Sequence, residues 1–135
     1  MFNKIIIIGV IGAILLGVIL IFFMNNSTVQ NEDIDLNIKA DVIMPTKVSR
    51  PGCEENDQCY IPSQIIIPNG DQVTWINEDS AFHSVTSGFY NEPTGFFDSG
   101  YLDPYQSFSF IFDKIGIYDY YCTLHPWMKG QVIVD

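Results

Sequence analysis

Histidine and positive charge are scarce in this sequence. Six Lys and Arg stand against sixteen Asp and Glu, a formal net charge of −10 over 135 residues. That balance argues against nucleic acid and against anionic lipid headgroups as partners, because both carry the same sign. It suits a partner with a basic surface, although acidity also simply keeps an exported protein soluble. With only two histidines, His83 and His125, the chain cannot build a second imidazole-rich metal centre. Helical periodicity is missing as well. Beyond the first segment the apolar residues alternate, which is the spacing of strands.

Charge is absent altogether from residues 5–24, IIIIGVIGAILLGVILIFFM. Twenty residues at a helical rise of ~1.5 Å span ~30 Å, about the hydrocarbon thickness of a bilayer. Lys4 precedes the run, and Glu32, Asp33 and Asp35 follow it. The positive-inside rule therefore keeps the short amino-terminal tail in the cytoplasm and puts the rest outside the cell membrane, with a single pass. A cleaved signal peptide is the competing reading. Its apolar core is normally shorter, and no small-x-small cleavage site lies between Phe22 and Ser27. Either way the domain is exported. The expected organisation is a cytoplasmic tip and transmembrane anchor over residues 1–24, a polar tether over 25–33, and one domain over 34–135. Asn25 and Asn26 each begin an N-x-S/T sequon, which matters only in a host that glycosylates exported proteins.

Strand patterning fills the domain. Ile34, Leu36, Ile38, Ala40 and Val42 alternate with polar residues, which predicts a half-buried strand over Ile34–Val42. Further strands are expected at Ile65–Ile67, Val73–Ile76, His83–Thr86, Ser107–Phe112, Tyr118–Cys122 and Val132–Val134. Short strands separated by Gly, Pro and Asn turns predict an all-β sandwich of two sheets. Cys53 and Cys59 lie in an insertion, PGCEENDQC, after the first strand. Outside the membrane two nearby thiols are expected to pair. A second metal site assisted by Glu54, Glu55 and Asp57 is the alternative.

Pairing Cys53 with Cys59 leaves Cys122 as an odd thiol, which needs explaining in an exported protein. Cys122-Thr-Leu-His125-Pro-Trp-Met128 places three ligand types within seven residues, and His83 lies about forty residues earlier. Each residue alone has a bland structural reading. Together, two imidazoles, a thiolate and a weak thioether form the set that suits copper cycling between two oxidation states. Zinc would accept Cys and His, but Met is a poor zinc ligand. One copper ion at His83, Cys122, His125 and Met128 is therefore expected.

The stretches Val73-Thr-Trp75-x-Asn77, Asn77-Glu-Asp79-x₃-His83-Ser-Val85, Phe97-Asp-Ser99 and Gly116-x-Tyr118-x-Tyr120-x-Cys122-x₂-His125-Pro126-x-Met128-x-Gly130 resemble the plastocyanin and amicyanin family of cupredoxins. The short ligand loop is more similar to that of amicyanin. The resemblance runs from Ile61 to Asp135; the anchor, the tether and the Cys53–Cys59 insertion lie outside it. It implies a Greek-key β-sandwich with a type 1 blue copper site at one end, His83, Cys122 and His125 being equatorial and Met128 axial. Ser84 stands where the family often has Asn, whose side chain ties the two ligand-bearing loops together. The shorter Ser84 leaves open whether the tie to the region of Thr123 is made.

The function expected is electron transfer, with Pro126, Trp127 and Phe82 forming an apolar collar around His125 for brief docking with a redox partner protein. The alternative is a single-copper oxidoreductase acting on a small molecule, such as nitric oxide, at an open axial position. A relay to a second copper is excluded, because Cys122 is flanked by Tyr121 and Thr123 and no histidine is left over.

Overall fold

Among the described residues, eight short strands form two stacked sheets. The computed structural model describes residues 39–135. The apolar run 5–24, the tether 25–33 and residues 34–38 of the first expected strand lie outside the described residues. In chain order the strands are β1 (Val42–Met44), β2 (Gln64–Ile67), β3 (Gln72–Asn77), β4 (Thr86–Phe89), β5 (Glu92–Asp98), β6 (Ser107–Ile111), β7 (Gly116–Tyr121) and β8 (Lys129–Val134). One sheet has the order β1-β3-β6 and the other β2-β8-β7-β4-β5. The β1–β3 and β2–β8 pairs are parallel and the rest antiparallel. The chain passes repeatedly between the sheets, as in a Greek-key sandwich.

The strand expected at His83–Thr86 begins only at Thr86 and runs to Phe89, His83 itself making an isolated bridge, and two further strands differ from expectation for identifiable reasons. Among the described residues the first strand begins only at Val42. Just before it, the Asp41 carboxylate accepts the Thr74 amide at 2.8 Å, so a side chain takes the place of a ladder partner. β5 was not expected at all. Its first four residues are exposed, so no alternation marks it, and it runs along the sheet edge where Pro93 is tolerated. The Ser87 hydroxyl accepts the Phe96 and Phe97 amides at 2.9 and 3.0 Å across a register shift. Gly88 sits at that shift with φ 108°, and a Cβ there would collide with the Glu92 carbonyl.

Between the sheets lies an aromatic core. Trp75 is fully buried, with ring centroids of Tyr120, Phe108 and Phe97 at 5.5, 5.8 and 5.9 Å. Tyr60 meets Tyr120 edge-on at 4.9 Å. Such pairs add about 0.5–1.5 kcal/mol each beyond area burial. This packing fixes the end of the sandwich where Thr86 pairs with Tyr121 and Tyr121 with Lys129. The residues just before β4 and those between β7 and β8 therefore meet at that end.

Candidate metal centre

The β7–β8 connection closes on itself. Cys122 donates its amide to the Met128 carbonyl at 3.1 Å, His125 to Cys122 at 3.3 Å, and Met128 to His125 at 2.9 Å. Two successive tight turns thus hold three expected ligands in one loop, and Pro126, lacking an N–H, sits where no amide is needed. Cys122 and Met128 are fully buried, whereas His125 is half-buried. His83 is also fully buried, pinned just before β4 by a two-way backbone bridge to Leu102.

Three donor atoms converge. His83 Nδ1 and His125 Nδ1 lie 3.1 Å apart, and Cys122 Sγ lies 3.8 and 3.5 Å from them. A triangle with those sides has its centre about 2.0 Å from each corner, the length of a metal–imidazole bond and slightly short of ~2.3 Å for a thiolate, as known for zinc. Protonation supports the same fit. His83 Nε2 lies 3.1 Å from the Asp79 carboxylate, which is an acceptor only, so Nε2 carries the proton and Nδ1 turns a bare lone pair inward. Burial holds His83 below the ordinary imidazole range, against the hydrogen bond and charge of Asp79. Burial and then the neighbouring His83 do the same to His125. Both rings are kept neutral, the state that ligates metal. The residues fit one soft first-row ion.

Asp79 was not assigned a role from the sequence, and it is central. Burial opposes its charge, yet amides of Lys47, Ser80 and Ser49 at 2.9, 2.8 and 3.1 Å, with the His83 ring, hold its carboxyl well below the usual range. A permanent carboxylate thus orients the ring of His83. The spacing Asp79-x₃-His83 was the available signal.

Ser84 makes the tie that its length had left open. Its Oγ accepts the Thr123 amide at 2.9 Å, and its own amide donates to Cys122 Sγ at 3.3 Å. The short side chain reaches because the Tyr60 hydroxyl holds the Ser84 carbonyl at 2.6 Å. Trp127 was expected in the apolar collar around His125. It is half-buried, its ring 5.3 Å from His125 and its Nε1–H donated to the Val48 carbonyl at 3.1 Å. The exposed apolar side chains flanking the ligands in sequence are Phe82 and Leu124, 53% and 41% exposed; Pro126 is half-buried. Cys53 and Cys59 are joined in a disulfide with Cα atoms 4.9 Å apart, which removes their sulfurs from any metal site. Cys122 is the one free cysteine.

Residues 48–135 match the family model of copper binding proteins, plastocyanin/azurin family. The chain belongs to that family. Relatives include the amicyanin of Paracoccus denitrificans, 35% identical over 78 residues, covering 56% of this chain and 58% of that protein. The plastocyanin of Scenedesmus fuscus is 31% identical over 92 residues, covering 62% of this chain and 94% of its own. Among solved structures, a purple cupredoxin from Nitrosopumilus maritimus superposes with a TM-score of 0.64 at 34% identity, covering 71% of this chain and 99% of that one. The aligned stretch spans only about 58% of the length of that amicyanin. The family binds copper, and His83, Cys122, His125 and Met128 form its candidate site here.

Proposed function

We propose that this protein is a mononuclear type 1 copper electron carrier, held by residues 5–24 in the cell membrane with its metal domain on the outer face. The observation behind the electron-transfer reading is the convergence of two imidazoles and one cysteine sulfur in a rigid frame, with one of the imidazoles half-exposed. Copper, when bound, supplies one-electron chemistry, since thiolate and imidazole together accept both of its common oxidation states. The chain's own part is to keep the donors still. Asp79 orients His83, Ser84 ties both loops, and the β7–β8 turns fix Cys122 relative to His125.

His125 is the route outward, because His83 is enclosed and already bound to Asp79. Phe82 and Leu124 offer exposed apolar surface beside the ligands, with Pro126 and Trp127 half-buried behind them. A collar of this kind suits brief contact with a redox protein, while the acidic chain steers a basic partner patch at longer range. Titrating the copper-loaded chain with azide and with nitric oxide tests the carrier reading. An unchanged visible spectrum supports it, whereas a new ligand band would favour the small-molecule oxidoreductase instead. Full burial of Met128 weighs toward the carrier. For the anchor, the expected result is a chain that stays with membranes in high salt and is released by detergent. Recovery of a shortened chain in the soluble fraction would overturn it.

A further inference from the structure

A line of hydroxyl groups leads away from the ligand loop. Thr123 Oγ1 lies 3.0 Å from Ser84 Oγ, Ser84 Oγ lies 3.3 Å from Thr86 Oγ1, and Thr86 Oγ1 lies 2.9 Å from Asp98 Oδ1. Ser84 and Thr86 are buried, whereas Asp98 is exposed on β5. Every proton in this line can be placed. A carboxylate only accepts, so Thr86 spends its single hydroxyl proton on Asp98. The contact between Thr86 and Ser84 must then be donated by Ser84. With that proton committed, Ser84 Oγ can only accept from Thr123, taking both its amide at 2.9 Å and its hydroxyl. Asp98 is itself held by the Gly100 amide at 3.1 Å.

We propose that Asp98 and Thr86 are positioning residues for the metal centre, acting through Ser84 to fix the residue next to Cys122. The charge of Asp98 orders the whole line in one direction. Hydrogen bonds aligned this way strengthen one another, so the Ser84 oxygen is a better acceptor for the Thr123 amide than an isolated hydroxyl would be. Ser84 also donates its own amide to Cys122 Sγ. One short residue therefore grips the Cys122 sulfur directly and its neighbour through the relay. The inference rests on the single-copper reading, but its first readout does not.

The experiment uses the full chain with Thr86→Val, Thr86→Ser, Asp98→Asn and the Thr86→Val/Asp98→Asn pair. Hydrogen exchange at the Thr123 amide is followed in the metal-free and the copper(I) protein, and the reduction potential in the copper-loaded one. Thr86→Val should speed Thr123 exchange up to about tenfold, the size of one lost hydrogen bond, and Thr86→Ser should restore it. Thr86→Val and Asp98→Asn should each shift the potential. The decisive result is coupling: Asp98→Asn should shift the potential in the natural background and have little effect once Thr86 is Val. Equal shifts in both backgrounds would mean that Asp98 acts through space, and the relay would be wrong. Unchanged Thr123 exchange in Thr86→Val would also overturn it. If no copper spectrum formed while Thr123 exchange responded as stated, the relay would stand and the copper reading would fall.

Discussion

Gly130 faces Tyr120 across the β7–β8 pair, and a Cβ at Gly130 would overlap the Tyr120 ring. The ring cannot retreat, because Trp75 and Tyr60 close its other sides. Gly130→Ala should therefore destabilise the domain by about 1–3 kcal/mol, the usual cost of overpacking, as read from urea unfolding. An unchanged midpoint would show that Tyr120 has room to move. The same scale shows how far the sequence could be read. The spacing Cys122-x₂-His125-x₂-Met128 displays its ligands directly, because one loop carries them. Asp79 is hidden at that level, since its role depends on Lys47 and Ser49, some thirty residues away, turning their amides toward it. Ser84 is a middle case: its identity was visible, but its reach depended on Tyr60.

At the scale of elements, the Cys53–Cys59 insertion does more than close a small loop. Val48, just before the insertion, accepts the Trp127 indole N–H, and within the insertion Cys59 Sγ lies 3.9 Å from the Trp127 carbonyl. The insertion thus braces the back of the ligand loop. Replacing both cysteines by Ser should cost about 2 kcal/mol by the chain-entropy model for a loop of this length. The copper-loaded protein should also show a broadened visible band as Trp127 loosens. An unchanged visible band in the double variant would contradict the bracing role. Strand legibility follows burial in the same way. β7 and β8 were legible because Tyr118 and Tyr120, and Val132 and Val134, share one face that meets the core, whereas β3 was legible as a short apolar run buried on nearly every residue. β5 did not alternate because it lies at an exposed edge, held partly by the Ser87 hydroxyl.

At the scale of the whole molecule, the three shifted groups of the metal-free site define its acid sensitivity. His83 and His125 are depressed in the folded state, so the unfolded chain binds more protons below its ordinary histidine pKa of ~6.5. Stability of the metal-free protein should therefore fall as pH drops through about 6.5. Asp79 is depressed as well, so its contribution is present above ~3.9 and is lost as pH falls further. Urea midpoints at pH 8, 6, 5 and 3.5 check this, and a midpoint that rises on acidification to pH 5 would contradict it. Partner exchange belongs to the same scale. Leu124→Ala should slow it without altering the copper spectrum, and added salt should weaken only its long-range part, since the Debye length is ~8 Å near physiological ionic strength.

The central claim is that one chain holds one copper through the Cys122 thiolate. Titrating the metal-free full chain with copper(II), while recording visible absorption, tests it most directly. An intense sulfur-to-copper charge-transfer band should appear and saturate at one copper per chain. Cys122→Ser, which leaves the strands folded, should lack the band. A band of equal intensity in Cys122→Ser, or none in the natural sequence at one equivalent, would contradict the account.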